Sequence, residues 1–268
     1  MTVFVDRDLE RSFAQLYEIQ KQLHSGALSP LQTRKPLQDI LEHRFGTTET
    51  PFDRYSHLLQ SLDDQLERLR RYNREYWDNR LTDEQLAAVD VSGDITQRVN
   101  DLTTFHVQFD SLEETIEMWW RVYVGEQPKH WRWDELKLDS EHLRLLPSNV
   151  ATYEPGIHRI RIDLVAHWEP ENGRTVEEVR DQAKGTDEIL AQLEVLSAYG
   201  IHSELLREQD GENLPYSDMP GTDVTVPGDS EPYALCVFWN PAYRRAYLSA
   251  SWVDDRDSFW AAPVLREK

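Results

Sequence analysis

Apolar residues recur at helical spacing through the first 150 or so positions, and short alternating runs replace them further on. Val5, Leu9, Leu16, Ile19 and Leu23 advance by alternating four- and three-residue steps, with Phe13 and Tyr17 widening the stripe, so an amphipathic helix is predicted as far as Gly26. Ser29-Pro30-Leu31-Gln32 combines an N-cap, a proline at the first helical position and a capping-box glutamine, and opens a second helix running to about Phe45. Thr50-Pro51-Phe52-Asp53 repeats that opening. Phe52, Tyr55, Leu59, Leu62, Leu66, Leu69, Asn73 and Tyr76 then keep the spacing of a heptad seam, with Asn73 at a core position. Leu58, Tyr72 and Trp77 lie beside the seam and make the apolar face wide. That favours packing within the chain, although a dimeric coiled coil also satisfies the spacing.

Thr82-Asp83-Glu84-Gln85 is a further capping box. Helical periodicity resumes at Ile95, Val99, Leu102, Phe105 and Phe109, and again from Ser111 through Leu112, Ile116, Trp119 and Tyr123 to Gly125. Residues 1–125 are therefore predicted to form an antiparallel helical bundle. Residues 126–156 read as a connecting segment in which His130-Trp131-Arg132-Trp133 forms a surface strand or docking loop.

Residues 157–268 read as an α+β domain, an antiparallel sheet packed with helices. Ile160, Ile162, Leu164, Ala166 and Trp168 alternate with Arg159, Arg161, Asp163 and His167, the mark of a half-buried strand. Thr175-Val176-Glu177-Glu178 caps a helix, and Thr186–Tyr199 carries a second that Gly200 closes. A short helix over His202–Gln209 leads into the polar stretch Asp210–Pro232, long enough to be a functional loop or a packed excursion. Tyr233–Trp239 and Tyr243–Trp252 form a hairpin about Asn240-Pro241-Ala242, and Phe259–Leu265 adds a last strand with Pro263 favouring an edge.

Composition narrows the function classes. The chain carries 49 acidic and 29 basic residues, a formal charge of −20 spread over both halves. That balance disfavours nucleic acid, whose phosphates need clustered Lys and Arg; Arg68, Arg70, Arg71 and Arg74 sit among helix acids as a solvated face. Cys236 is the single cysteine, so no intrachain disulfide is expected. The first ten residues lack an apolar leader core and no apolar run is long enough to span a bilayer, so a cytoplasmic location without membrane contact is expected.

Candidate chemistry is thin. Trp168, Trp239, Trp252 and Trp260 stand near strand ends, with Asp163, Glu169, Glu171, Asp254, Asp255 and Asp257 close in sequence. Aromatic platforms with two carboxyls in different environments are what a carbohydrate-binding or glycoside-cleaving module needs, and packing of the sheet against its helices accounts for the same residues. Cys236 could be paired with His158 or His167 as a nucleophile, but its apolar strand makes it an inert small hydrophobe. Asp254-Asp255-Arg256-Asp257 and Asp210-Gly211-Glu212-Asn213 lack calcium-loop spacing, and the histidines lack zinc-helix spacing, so neither metal nor cofactor is expected. Gly-rich phosphate loops and nucleophile elbows are absent from the sequence.

The phrases Asp210-Gly211-Glu212-Asn213-Leu214-Pro215-Tyr216, Val224-Thr225-Val226-Pro227-Gly228 and Trp260-Ala261-Ala262-Pro263-Val264-Leu265-Arg266-Glu267 resemble a segment of uncharacterised bacterial proteins. The resemblance spans Glu204–Glu267, carries no catalytic motif, and implies a coherent module without assigning it an activity. The expectation for the whole chain is a non-enzymatic interaction or scaffold protein that docks a protein partner, a basic one being an option that the acidic surface suits, with Trp131 and Trp133 as aromatic anchors. A carbohydrate module and a DNA-mimicking inhibitor are the alternatives, and the oligomeric state is left open.

Overall fold

The computed structural model describes residues 52–93, 97–146 and 154–266. The chain divides after Pro51, and every described residue falls in Phe52–Lys268. The helices expected over Val5–Leu23 and Ser29–Phe45 lie outside the described residues, as does Ile95.

The α+β class holds: among the described residues ten strands form two sheets, with helices packed against them. A short 3-10 helix, Asp53–Leu58, precedes α1 (Leu62–Glu75). The heptad spacing from Phe52 to Tyr76 is thus broken: Leu59 turns to extended backbone, and Ser61 restarts the chain by accepting the Asp64 N–H on its hydroxyl at 3.2 Å. The seam packs within the chain, since Leu62, Leu66, Leu69, Tyr72 and Asn73 are all buried. Helix α2 (Asp83–Ala87) opens with the predicted capping box of Thr82 and Gln85.

Strand β1 (Leu102–Gln108) replaces the helix predicted over Ile95–Phe109. Leu102, Thr104, Phe105, His106 and Val107 are all buried, so both faces of β1 are covered and no two-residue alternation marked it. Its β-branched and aromatic run Thr-Thr-Phe-His-Val suits a pleated strand better than a helix. The antiparallel helical bundle expected over residues 1–125 does not appear among the described residues. Helix α3 (Leu112–Glu126) follows, N-capped by Ser111.

The first sheet runs β1–β4–β10–β5, antiparallel throughout, with β4 at Gly156–Asp163, β5 at Ile189–Leu190 and β10 at Val264–Leu265. The pairing of β1 with β4 crosses the expected connecting segment 126–156, and both belong to the single compact unit Phe52–Lys268. The second sheet runs β2–β8–β7–β6–β3, with β2 at His130–Arg132, β3 at Leu143–Leu145, β6 at Tyr216–Val224, β7 at Tyr233–Asn240 and β8 at Arg245–Trp252. Strand β9 (Trp260–Ala261) pairs in parallel with the start of β6. Strands β7 and β8 are the predicted hairpin, and Phe259–Leu265 splits at Ala262-Pro263 so that β9 and β10 serve different sheets.

Two further expectations are corrected. Asp210–Pro232, expected as a functional loop or a packed excursion, instead contains β6. The helix expected over Thr186–Tyr199 is instead β5 followed by α5 (Glu194–Ile201), since Ile189 and Leu190 pair with β10. Helix α4 (Val176–Ala183) has its predicted capping box at Thr175 and Glu178, and α6 (Ser203–Leu206) is a single turn.

All eight residues of α5 are buried. A helix apolar on every side belongs in a core, and this one joins both sheets. Ser197 Oγ lies 2.7 Å from His106 Nδ1 of β1, and Tyr199 Oη lies 2.9 Å from Ser217 Oγ of β6. Tyr72 and Tyr123 reach in from α1 and α3 to donate to the carbonyls of Gly200 and Leu196.

Candidate functional site

The second sheet has unlike faces. Leu235, Val237 and Trp239 of β7 point into the main core, and Ala234, Cys236 and Phe238 point away from it. Helix α4 covers one end of that outer face: Val176 packs with Ala234 and Val253, and Arg180 donates to the carbonyl of Pro220 at 2.9 Å. The bulge that places Pro220 and Gly221 in β6 lies under this cover.

At the other end of the outer face, one rung of the sheet is aromatic on five consecutive strands. Trp131 of β2 pairs with Tyr247 of β8, which pairs with Phe238 of β7. The β6–β7 register places Tyr216 beside Phe238, and Tyr216 pairs with Trp260 of β9. Ring centroids confirm the contact: 4.9 Å for Trp131–Tyr247 and for Tyr247–Phe238, 5.2 Å for Phe238–Tyr216, and 5.3 Å for Tyr216–Trp260. The rings are spaced like the strands that carry them. Tyr247 is buried, the other four are half-buried, and Tyr243 and Phe259 flank the row at 60% and 45% exposure.

The next rung is polar: Ser249, Cys236 and Asp218 lie side by side. Ser251 donates to Asp218 at 2.7 Å, and burial raises the Asp218 carboxyl to about 7. Burial also pushes the Cys236 thiol well up, which suits an inert side chain. The structure sets Cys236 beside Asp218, while His158 meets the Glu154 carbonyl at 2.6 Å and His167 meets Glu188 at 2.8 Å, both away from the second sheet.

The tryptophans singled out in the sequence are dispersed. Trp260 and Trp131 stand in the aromatic row, and Trp239 faces the core at 7% exposure. Trp252 is exposed at the far end of β8 near Tyr233, and Trp133 also packs against Tyr233. Trp168 donates to the Ser258 carbonyl at 2.8 Å and touches Phe52. Among the acids, Asp163 is buried against Arg266 at 2.5 Å, Glu169 pairs with Arg174, and Asp257 accepts the Phe259 N–H. Phe238, Tyr216 and Tyr247 were not singled out. Their signal lay in strand register, which requires the position of β6 and the parallel pairing of β2 and β9.

Three other constellations have simpler accounts. Ser197, His106 and Gln108 line up like a hydrolytic relay, but all of Ser197 and nearly all of His106 are buried, and burial lowers the imidazole to about 3. Asp139, Glu141 and His142 bring ligand atoms within 4.8 Å of one another. An Asx turn explains that convergence, since Asp139 Oδ1 accepts the backbone N–H groups of Glu141 and His142. A cleft of about 540 Å³ beside α4 is lined by Arg180, Lys184, Glu188 and Asp223, and Asp181 and Arg144 neutralise Lys184 and Asp223 at 2.6 Å each.

No helix among the described residues is long and apolar enough to cross a membrane. Comparison with protein-family models, with curated proteins and with solved structures finds no match.

Proposed function

We propose that this chain is a non-enzymatic binding protein that docks a protein partner on the aromatic rung of its second sheet. The observation that carries the reading is the in-register row Trp131, Tyr247, Phe238, Tyr216 and Trp260, left uncovered by α4 and flanked by exposed Tyr243 and Phe259. Half-exposed aromatics held rigid by a sheet lose little entropy on binding and make effective interface anchors. Apolar side chains gathered in one patch mark interaction surfaces more reliably than scattered ones.

The carbohydrate reading fits less well. Stacking a sugar needs a free ring face, and here Phe238 and Tyr247 stack on each other at 17° while Tyr216 and Trp260 meet edge to face. The rung mainly offers ring edges to solvent. A DNA mimic would use acidic rows, yet Glu67 of α1 and Glu114, Glu117 and Glu126 of α3 pair with arginines.

The test is affinity capture from lysate of the source organism, with the wild type and the variants Trp131→Ala and Trp260→Ala as baits, washed at moderate salt. A protein retained by the wild type and lost from both variants, with melting temperatures changed by only a few degrees, is the expected result. Equal retention by all three baits removes the rung from the binding surface and defeats the proposal.

A further inference from the structure

The rung is electrically lopsided. Lys129, Arg244 and Arg245 gather at its β2–β8 end: Lys129 precedes β2 and accepts the Ala246 N–H at 3.1 Å on its carbonyl, Arg244 precedes β8 and Arg245 begins it. Arg245 lies between the rings of Tyr243 and Tyr247, 4.8 and 4.9 Å from their centroids, and donates to Tyr247 Oη at 2.8 Å. Among the described residues none of these three cations has a carboxylate partner, whereas neighbouring Arg132 is held by Glu117. In a chain with 49 acids and 29 bases, three unneutralised cations beside an aromatic surface form a local field opposite to that of the molecule. At the other end the sign reverses, for Asp210, Asp257 and Glu212 add to the burial that raises the Tyr216 phenol.

Strand β2 is also the end strand of its sheet, pairing with β8 on one side and with no described strand on the other. An unpaired edge accepts an added strand by main-chain hydrogen bonds. A strand laid there would put one side chain beside Trp131, extending the rung. Its same-face neighbour two residues toward the start of β2 would lie beside Lys129, with Arg245 on the same rung one strand further in, because side chains alternate along a strand.

Resting on the docking role proposed above, we infer that the occupant is an extended acidic peptide of a protein partner, added along β2 with an apolar or aromatic residue beside Trp131 and an acidic residue two positions away on the Lys129 side. Single-stranded nucleic acid also combines with aromatics and cations. It would have to carry its phosphates along the rung toward Asp210, Glu212 and Asp257, and the three cations serve only one end. The arrangement therefore favours a peptide.

The experiment pans phage-displayed random dodecapeptides on the intact chain, then measures the best peptide, labelled with fluorescein, by anisotropy. The expected outcome is a consensus with Asp or Glu two positions from an apolar or aromatic residue. Binding should weaken at least ten-fold for the double variant Lys129→Glu/Arg244→Glu, weaken further as salt rises, and be lost in Trp131→Ala. A basic or neutral consensus that still needs Trp131 overturns the acidic partner and leaves the docking role standing. No enrichment overturns the peptide occupant, while rung-dependent capture from lysate would still stand for docking. Tight binding of a dT15 oligonucleotide, lost in the double variant, overturns it in favour of nucleic acid.

Discussion

Gly200 lies directly against the indole of Trp119: a Cβ at position 200 would fall 2.6 Å from Cε3 and Cζ3 of the ring. Both residues are buried, and Gly200 is the penultimate residue of α5. The glycine read from sequence as a helix stop is a point of close approach between α5 and α3. Gly125 plays the same part in α3, where an added Cβ would meet the ring of Tyr76 from α1.

Gly200→Ala should therefore destabilise the fold. The helix gains about 0.5–1 kcal/mol from the better helix former, but overpacking a rigid core costs about 1–3 kcal/mol. The net loss should appear as a lower denaturation midpoint with an unchanged slope. Gly185→Ala is the control, since its Cβ would meet nothing nearer than the Gln182 carbonyl at 3.7 Å. That variant should be neutral or gain a few tenths of a kcal/mol from a less flexible unfolded chain. If the two variants behave alike, the contact with Trp119 does not govern position 200.

Asn73 does not set a coiled-coil register. Its amide donates to the Leu81 carbonyl and accepts the Leu81 N–H, both at 2.9 Å, and so clamps the chain just after α1. Asn73→Leu keeps the branched shape and strands two buried backbone groups, at about 1–3 kcal/mol each. Chemical denaturation should show a loss of about 2 kcal/mol or more. A loss below 0.5 kcal/mol, in that measurement, would mean that the turn relaxes to find other partners.

Local signals in the sequence transferred well where a few adjacent residues suffice. The capping boxes at Thr82 and Thr175 and the hairpin about Asn240-Pro241-Ala242 describe the structure, whereas the alternation read as far as Trp168 holds only until β4 ends at a buried Asp163 and residues 164–167 turn. Legibility failed where tertiary surroundings override local preference. Strand β6 reads Tyr-Ser-Asp-Met-Pro-Gly-Thr-Asp-Val, a poor strand by composition. It persists because distant groups satisfy its polar side chains: Tyr199 meets Ser217, Ser251 donates to Asp218, and the Leu235 N–H donates to Thr222 Oγ1. Strand β1, buried on both faces, lost its alternation for the same reason. The aromatic rung depends on both kinds of hidden information, since Trp131 and Trp260 stand more than a hundred residues apart and meet only through β6, β7 and β8.

The pH dependence of stability should reflect two opposing pairs of buried groups. Burial raises the carboxyls of Glu194 and Asp218 to about 7, far above the ordinary range near 4. The folded state therefore holds two protons that the unfolded chain releases; their contribution is complete below about pH 4 and is lost as pH rises toward 7. Burial lowers the imidazoles of His106 and His202 to about 3. There the unfolded chain takes up protons that the folded state refuses, so their contribution is complete above about pH 6.5 and is lost on acidification toward 3. Ion-paired carboxylates such as Asp101, held low by Arg161, titrate below this window. Between pH 4.5 and 6.5 the two pairs offset each other, and the wild-type melting temperature should change little. The double variant Glu194→Gln/Asp218→Asn removes the pair that favours acid, so its melting temperature should fall steadily from pH 6.5 to 4.5. A profile parallel to that of the wild type would show that the two carboxyls titrate normally and are not proton-bearing in the fold.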